Sequence, residues 1–132
     1  MADIKIYAFA DEASSMIDEQ IVALKRNGLQ GLEIRGVDGT NISDITVEKA
    51  KEVKAKLDDA GLTTWSIGSP IGKIHINDDF TPHIEKYKHT LEIANILGAE
   101  NIRMFSFYMK EVKPEHCKNE VMERLGKFVE IA

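Results

Sequence analysis

Two hydrophobic periodicities alternate along this sequence, and no other feature limits its fold as strongly. Four short, mostly apolar segments at residues 4–9, 31–35, 63–68 and 101–107 are each followed by a segment whose apolar residues recur every three or four positions. The first pattern predicts a β-strand and the second an amphipathic α-helix. A chain that alternates strands with helices in this way is expected to form parallel strands joined by right-handed crossovers.

Capping residues and glycines mark the boundaries of the predicted helices. The predicted N-caps of the first and third helices are hydroxyl residues, Ser15 and Thr81, and the second helix is predicted to run from about Thr46 to Ala60. Glycines that can adopt a left-handed conformation end the same helices, at Gly28, Gly61 and Gly98. The fourth helix begins near Pro114. Its apolar residues predicted to face inward are Val121, Met122, Leu125, Phe128 and Val129. The recurring glycine is a weak internal repeat of one strand and one helix.

Four strand–helix units are compatible with two folds. A closed barrel requires eight such units and roughly 250 residues, whereas a small doubly wound domain can be built from four. The apolar stripe of the fourth helix still continues at Ala132, with no glycine or other stop signal. The pattern alone leaves open a truncated half-barrel and a small doubly wound domain whose last helix is C-terminal.

Composition narrows the classes of partner. The net charge of −5 and the pI of about 5.4 argue against a nucleic-acid partner held by charge alone, because phosphate binding requires a basic face. The single cysteine, Cys117, permits no internal disulfide and is typical of the reducing cytoplasm. The first residues lack the basic and apolar regions of a signal peptide, and the longest apolar run is far too short to span a membrane.

The first candidate site residues lie at the end of the second strand, because parallel α/β folds place their sites at the C-terminal ends of strands. Glu33 and Arg35 face the barrel axis if their neighbours face the helices. Arg103 on the fourth strand has the same facing, and Lys5 can join the group. A carboxylate turned into a sheet must be paired. The pattern therefore predicts either a structural ion cluster or a contact from Glu33 to a substrate hydroxyl.

The turn after the third strand is the second candidate. Ser69 opens this turn and Pro70 stiffens it, while Gly72 allows the backbone to approach a ligand. Lys73 can hold a phosphate or a sugar oxygen, although the glycine spacing is not that of a Walker loop. An ordinary long loop is the alternative. At the end of the fourth strand, Phe107 can either form an aromatic wall for a small polar ligand or belong to the core.

Other polar residues suggest less specific roles. Asp11 and Glu12 are interpreted as a helix-entry pair, because the acceptor aspartate of a receiver domain is missing after the third strand. No glycine-rich dinucleotide loop follows the first strand. His75 has no second ligand at a metal-binding spacing. The histidines predicted to be surface or packing residues are His83, His89 and His116.

Four segments in chain order resemble the xylose isomerase-like barrel superfamily, which is also described as sugar phosphate isomerase/epimerase. They are GLEIR at residues 31–35, IGSPIGK at 67–73, LEIANILGA at 91–99 and NIRMFSF at 101–107. The resemblance favours the first of the two folds, an α/β chain that forms a parallel (β/α)4 half of a TIM barrel. Residues 1–132 are therefore expected to form one domain, the N-terminal half-barrel, truncated within the fourth helix.

The resemblance also implies a chemistry. Members of this superfamily are (β/α)8 barrels that act on sugars, inositols and related hydroxy-carbonyl compounds. Many bind a divalent metal (Mn²⁺, Mg²⁺, Co²⁺ or Zn²⁺) through strands five to eight, and the metal assists proton transfer next to a carbonyl. Such a metal is expected in the full-length protein and none in this chain. The resemblance implies that Glu33 is a carboxylate at the barrel mouth and that residues 69–73 form a turn on the substrate side. Many members have a histidine where this sequence has Ser69.

The sequence thus predicts the N-terminal part of a sugar or sugar phosphate isomerase or epimerase, cytoplasmic and inactive as this fragment. The expected partner is a small sugar or sugar phosphate, with no nucleic acid and no membrane. One alternative is a non-catalytic binding or assembly module, because the open edges of the first and fourth strands favour homo-oligomers. The other is a barrel of the abasic-site endonuclease type, against which the acidic charge counts.

Overall fold

The computed structural model describes residues 4–132. The strands and helices are, in chain order, β1 (Tyr7–Ala8), α1 (Ile17–Arg26), β2 (Gly31–Ile34), β3 (Gly36–Val37), β4 (Thr40–Asn41), α2 (Val47–Asp59), β5 (Thr63–Gly68), α3 (Thr81–Leu97), β6 (Asn101–Arg103) and α4 (Pro114–Ile131). Short 3₁₀ turns precede α1 and α2, at Ala10–Glu12 and Ile42–Asp44. No helix in this part of the chain is long and apolar enough to cross a membrane.

The main sheet has four strands in the order β1-β2-β5-β6, and each neighbouring pair is parallel. The remaining strands, β3 and β4, form a small antiparallel hairpin inserted after β2. Strands of the main sheet are therefore neighbours in the order in which the chain makes them. A doubly wound sheet would reverse that order at a switch point, so the topology confirms the parallel α/β class with the winding of a barrel.

The alternation of side chains along β2 separates a covered face of the sheet from an open one. Leu32 and Ile34 are each 1% exposed and belong to an aliphatic core between the sheet and the helices. Glu33 points to the opposite face, as predicted. On that open face, the rings of Tyr7 and Trp65 stack with their centroids 5.9 Å apart, and Trp65 remains 47% exposed.

A second core, rich in aromatic rings, lies beneath α4. Phe128 is buried at its centre, and the Phe80, Tyr87 and Phe107 rings surround it at centroid distances of 5.2, 4.7 and 6.3 Å. Aromatic rings at such distances attract each other beyond the area that they bury. This core therefore fastens α4 to α3 and to the loop that follows β6.

The inward face predicted for α4 is confirmed in part. Phe128 is buried, and Val121 and Leu125 are half-buried against the second core. The prediction that Met122 and Val129 face inward is wrong, because their side chains are 62% and 77% exposed. They lie on a flank of α4 that nothing within residues 4–132 covers.

The predicted start of α2 shifts by one residue, the predicted end of α3 is confirmed, and the predicted cap of α3 is corrected. Thr46 caps α2 by accepting a hydrogen bond of 3.1 Å from the N–H group of Lys49. Gly98 ends α3 in the left-handed conformation, with φ of 70°. Thr81, however, is the first residue of α3 rather than its cap. Its own N–H group donates to Oδ1 of Asp79 at 3.1 Å, so this first N–H group of the helix is satisfied from two residues earlier.

The cap of α1 comes from a distant part of the chain, so the prediction of Ser15 is wrong. The first N–H group of α1, from Ile17, donates a hydrogen bond of 2.9 Å to Oδ1 of Asp38 in the β3–β4 loop. The other carboxylate oxygen of Asp38 lies 2.6 Å from Nζ of Lys49 on α2. The pKa of Asp38 is lowered from its usual range, chiefly because Lys49 donates a hydrogen bond to its carboxylate and secondly because the Ile17 N–H group does so. Asp38 thereby joins the hairpin to two helices.

The outer strands are shorter than predicted. Only Tyr7–Ala8 of residues 4–9 pair as a strand, because β1 is an edge strand whose neighbour β2 begins at Gly31. The fourth predicted strand stops at Arg103, and the chain beyond it pairs with the loop after β5 instead. The N–H groups of residues 105, 107 and 108 donate to the carbonyl groups of residues 71, 72 and 74, at 2.8, 3.0 and 2.8 Å. We refer to segments 69–76 and 104–108 as the paired loops.

Candidate functional site

Charged side chains from three strands meet at the C-terminal end of the sheet, on its open face. We refer to them as the mouth cluster, which consists of Asp11, Glu12, Glu33, Arg35 and Arg103. Glu33 and Arg103 lie within β2 and β6, and Arg35 follows β2 directly. This edge of a parallel α/β sheet is where functional groups collect. The convergence of Glu33, Arg35 and Arg103 here agrees with the facing predicted from the alternation.

Glu33 and Arg103 form an ion pair across β5. The Nε–H group of Arg103 donates a hydrogen bond of 2.6 Å to Oε1 of Glu33, whose side chain is 12% exposed. Gly68 of β5 leaves room for these side chains, since a Cβ atom there would lie 2.5 Å from Cγ of Arg35 and 3.1 Å from both Oε1 of Glu33 and a terminal nitrogen of Arg103. The partner that a carboxylate on this face requires is thus supplied within the chain. The other carboxylate oxygen of Glu33 has no hydrogen-bond partner among residues 4–132.

Arg35 is held by two carboxylates from the turn after β1. Its Nε atom lies 3.0 Å from each carboxylate oxygen of Asp11, and a terminal nitrogen lies 3.2 Å from Oε1 of Glu12. Burial by itself lowers the pKa of Arg35, but the hydrogen bonds and charges of Asp11 and Glu12 outweigh it and raise the pKa overall. Asp11 and Glu12 are therefore counter-charges for Arg35, which the helix-entry interpretation did not include.

Two aromatic rings that the sequence pattern did not single out border the mouth cluster. Cζ of Arg35 lies 4.3 Å from the centre of the Phe9 ring, and Cζ of Arg103 lies 5.1 Å from the centre of the Phe105 ring. Nζ of Lys73 lies 4.5 Å from the centre of the same Phe105 ring. Cations are attracted to the faces of aromatic rings. The alternation that selected Arg103 would also have selected Phe105, two residues further along the same predicted strand.

The turn at residues 69–73 is fastened to the end of β6 and to the chain that follows it. Oγ of Ser69 donates a hydrogen bond of 2.6 Å to the carbonyl oxygen of Arg103. Gly72 has φ of 85°, and a Cβ atom there would lie 1.8 Å from the carbonyl oxygen of Phe105. The close backbone approach that Gly72 permits is therefore to the neighbouring loop.

The remaining groups of this turn divide between internal contacts and solvent. The N–H group of Gly72 donates to Nε2 of His83 at 2.7 Å. Burial, and to a smaller degree the positive charges of two neighbouring side chains, lowers the pKa of His83. His83 is thus a packing residue, as expected, and its ring fixes the turn. Pro70 is half-buried and Lys73 is exposed. A contact between this turn and a ligand remains a prediction, and Lys73 is the side chain free to make it.

Phe107 lies in the core, which was one of its two predicted roles. Its side chain is 7% exposed and its ring is stacked on that of Phe128, at an interplanar angle of 15°. The backbone of Phe107 has φ of 75°, an unusual conformation for a bulky residue. The paired loops and the second core hold it there. The Phe105 ring, rather than this one, borders the mouth cluster.

Lys5 lies apart from the mouth cluster, so the expectation that it joins Glu33 is wrong. It lines a shallow cavity with Tyr7, Thr63 and Trp65, where β5 begins rather than where it ends. Residues at the two ends of a strand are separated by about 3.3 Å per residue. The alternation gave the correct face for Lys5 but not its distance along the barrel axis.

A cavity of about 340 Å³ opens beside the mouth cluster. It lies between the turn after β1 and the β3–β4 hairpin, and its lining residues are Asp11, Ser15, Arg35, Gly36, Gly39, Thr40 and Asn41. The volume is near the lower end of the range for ligand pockets. Its hydroxyl, amide and charged groups suit a small polar molecule better than an apolar one.

The residues of the mouth do not form a metal site. Within residues 4–132, no group of three or more histidine, cysteine, aspartate or glutamate side chains is placed to hold a metal ion. The carboxylates of Asp11 and Glu33 are already turned towards arginines. A divalent metal needs several oxygen or nitrogen ligands converging on one point, and this part of the chain does not offer them.

Comparison with known proteins gives a family model and several solved structures. The family model described as xylose isomerase-like TIM barrel matches residues 21–132. No curated protein sequence matches the chain significantly. One similar structure is the probable 3-DHS dehydratase AsbF involved in petrobactin synthesis from Bacillus anthracis, with a TM-score of 0.74 and 20% identity, covering 97% of this chain and 48% of that one.

Two further structures share the fold. The 3-keto-D-glucoside 4-epimerase YcjR from E. coli has a TM-score of 0.66 and 18% identity, covering 96% of this chain and 50% of that one. An AP endonuclease of family 2 from Brucella melitensis has a TM-score of 0.69 and 13% identity, with the same two coverages. The chain therefore spans about half the length of the structures that it matches. Together with the sheet order, this confirms the predicted half of a TIM barrel.

Proposed function

This chain belongs to the xylose isomerase-like TIM barrel family, and from that premise we propose that it supplies the N-terminal half of a sugar or sugar phosphate isomerase or epimerase. Two of the proteins with the same fold are a probable dehydratase and an epimerase. The proposal assigns to this half the binding and orientation of the substrate. The remaining half of the barrel would supply the groups that move the proton.

The convergence of Glu33, Arg35 and Arg103 on the open face carries this proposal. Such charges are costly on a sheet unless they are paired or functional. Each is paired, yet the second carboxylate oxygen of Glu33 has no partner among residues 4–132, and the Glu33 side chain lies on the open face. We propose that this oxygen accepts a hydrogen bond from a substrate hydroxyl, while the rings of Phe9 and Phe105 border the bound molecule.

Many family members use a divalent metal, but residues 4–132 do not provide a fitting ligand set. We therefore assign no metal-dependent step to this chain. In the full-length barrel, a metal would be held by residues outside this half. Calorimetric titration of the 132-residue chain with Mn²⁺, Mg²⁺, Co²⁺ or Zn²⁺ is expected to detect no stoichiometric site. Tight one-to-one binding would contradict this division of labour between the halves.

Substrate binding is tested by amide NMR spectra of the chain titrated with D-fructose. Shift changes are expected at residues 33–35, 68–73 and 103–105, and none at Lys5 or in α1. Glu33→Gln is expected to weaken the sugar contact modestly, because an amide oxygen still accepts a hydrogen bond. Changes confined to the opposite end of the sheet, or none at molar sugar, would refute the proposal. The chain alone is expected to exchange no sugar proton with deuterated solvent.

A second candidate function is assembly, favoured by the exposed apolar surface of the open face. Trp65 is 47% exposed there, and β1 and β6 each have one neighbour in the described sheet. Open sheet edges and large exposed rings favour association. Two copies related by a two-fold axis could place β6 of each beside β1 of the other. Light scattering at high protein concentration is expected to detect a dimer, and a clean monomer would contradict this candidate.

An endonuclease role is the alternative suggested by the third similar structure. We favour a small-molecule substrate. We also propose that the protein is located in the reducing cytoplasm, as the single cysteine suggests. The chain carries a net charge of −5, and three carboxylates at the mouth lie beside its two arginines. DNA binding needs unmatched positive charge along a face. Retention of an abasic duplex at physiological salt would favour the endonuclease alternative.

A further inference from the structure

We propose that Arg103 anchors an anionic group of the substrate, a carboxylate or a phosphate, and that Glu33 positions Arg103 for this task. The inference rests on the proposed function for the location of the substrate. It adds a substrate class, a hydroxy-carbonyl compound that carries a negative charge at one end. It also gives Glu33 a role that does not require it to move a proton.

The hydrogen bonds of Arg103 leave its outer side unused. Only its Nε–H group is engaged, by Glu33 at 2.6 Å. Neither terminal nitrogen has a hydrogen-bond acceptor within residues 4–132, and the side chain is 35% exposed. A guanidinium offers five N–H donors in a planar fork, and its terminal pair matches two oxygens of a carboxylate or phosphate. Because Glu33 holds Nε, the plane of the fork is fixed before any ligand arrives.

Aromatic rings and a glycine keep the fork in place and accessible. Cζ of Arg103 lies 5.1 Å from the Phe105 ring centre and 5.8 Å from that of Phe9. These rings limit the directions in which the side chain can turn, which reduces the entropy lost on binding. At Gly68, any Cβ atom would approach a terminal nitrogen of Arg103 to 3.1 Å. Glycine at this position therefore lets the fork lie close over β5, beside Arg35.

The local charge also favours an anion at Arg103 rather than at Arg35. Arg35 faces two carboxylates, Asp11 and Glu12, so that group carries an excess of negative charge. Arg103 faces the single carboxylate of Glu33, and the ammonium group of Lys73 lies against the same Phe105 ring, 4.5 Å from its centre. This group carries an excess of positive charge. An anionic ligand is thus repelled from one side of the mouth and attracted to the other.

Calorimetric titrations of the 132-residue chain test the anchor. The ligands are fructose 6-phosphate, gluconate, inorganic phosphate and neutral D-fructose, so that phosphate and carboxylate sources are compared separately. A charge-assisted hydrogen bond contributes about 1.5–3 kcal/mol, which corresponds to an advantage of about tenfold or more for an anionic ligand over fructose. Arg103→Gln is expected to abolish this advantage, and Arg103→Lys to keep only part of it.

Matched variants separate the anchor from general charge and from folding. Arg26→Gln removes the same charge from an exposed position at the end of α1 and should leave the anionic advantage intact. Glu33→Gln should also retain it, because its amide oxygen can still accept from Nε, whereas Glu33→Ala should reduce it several-fold. Circular dichroism verifies that each variant is folded.

Each outcome has one meaning. Equal affinities for anionic and neutral ligands, or an advantage that survives Arg103→Gln, overturn the anchor and leave the proposed sugar site standing. If fructose fails to bind while inorganic phosphate binds in an Arg103-dependent way, the anchor stands and the sugar proposal fails. Equal losses in Arg26→Gln and Arg103→Gln would also overturn the anchor, since they would indicate an unspecific charge effect.

Discussion

The two sides of the barrel mouth are held together by different forces. On the side of β1 and β2, side-chain charges join the segments: Arg35 binds Asp11 and Glu12, and Asp38 binds Lys49. On the side of β5 and β6, backbone hydrogen bonds join the paired loops, and the second core supports them from below. One side thus depends on charge and the other on close fit.

This difference determines what each side can contribute to a bound ligand. The β1–β2 side carries more acids than bases, and it opens onto a cavity lined by hydroxyl and amide groups. The β5–β6 side carries the available terminal nitrogens of Arg103 and the exposed Lys73 on a rigid support. A molecule with hydroxyls at one end and an anion at the other would therefore have a preferred direction across the mouth.

Gly72→Ala is expected to give the largest effect, on the side that depends on fit. The added Cβ atom would lie 1.8 Å from a backbone carbonyl oxygen, at a residue with φ of 85°. We expect a loss of at least about 3 kcal/mol in the free energy of unfolding, measured by urea denaturation. Gly39→Ala is the matched control on the other side, because its φ is 80° but nothing lies within 4 Å of the added atom. It should cost about 1–2 kcal/mol, from the left-handed backbone alone, and equal losses would contradict the comparison.

Asp38→Ala is expected to give the next largest effect, because it removes the cap of α1 and the partner of Lys49 together. The expected loss is about 1–2 kcal/mol in the same urea experiment. Asp38→Asn should lose less, since its amide oxygen can still cap α1. Ser15→Ala, at the position where the sequence predicted the cap, should change stability by less than about 0.5 kcal/mol. A larger loss at Ser15 than at Asp38 would be inconsistent with the cap seen here.

His83 should make the stability of the β5–β6 side depend on pH. Because burial lowers its pKa in the folded state, the unfolded chain binds the proton more readily. This contribution to stability is complete above the unfolded pKa of about 6.5 and declines as the pH falls below it. His83→Gln retains an acceptor for the Gly72 N–H group but cannot be protonated. The difference in melting temperature between the two proteins should therefore change between pH 8 and pH 5, and a constant difference would refute the role.

Asp11→Asn should give the smallest effect, on the side that depends on charge. The Arg35–Asp11 pair is partly exposed, with side-chain accessibilities of 33% and 24%. Such a pair contributes up to about 1 kcal/mol and is screened by salt. The loss should shrink between 20 mM and 1 M sodium chloride, whereas the loss caused by Gly72→Ala should not. A salt-independent loss at Asp11 would contradict the electrostatic description of this side.

The sequence could predict whatever depends on local periodicity. The bounds of β5 were predicted to the residue, Gly98 was identified as the end of α3, and the alternation placed Glu33 on the open face. These features depend on residues within one or two helical turns or along one strand. The axial facing of Arg103 followed from the same rule.

Features made by contacts between distant segments could not be predicted in this way. Asp38 caps a helix that begins 21 residues earlier. No local pattern around Ser15 indicates that a distant carboxylate will take its place as the cap. The fourth strand stops early because the loop after β5 offers its carbonyl groups to residues 105–108. The pairing of Arg35 with the turn after β1 likewise requires the two strands to be adjacent, which periodicity does not specify.

The stacked pair of Tyr7 and Trp65 makes the open face observable by light. Trp65 is the single tryptophan of the chain. Fluorescence excited at the long-wavelength edge of tryptophan absorption therefore reports on the surroundings of Trp65 alone. With 47% of this residue exposed, its emission should be red-shifted and readily quenched by iodide or acrylamide. Whatever closes over the face, a second copy or the other half of the barrel, must displace water from the indole ring. The emission should then move to shorter wavelength, which gives an unlabelled optical titration of barrel completion.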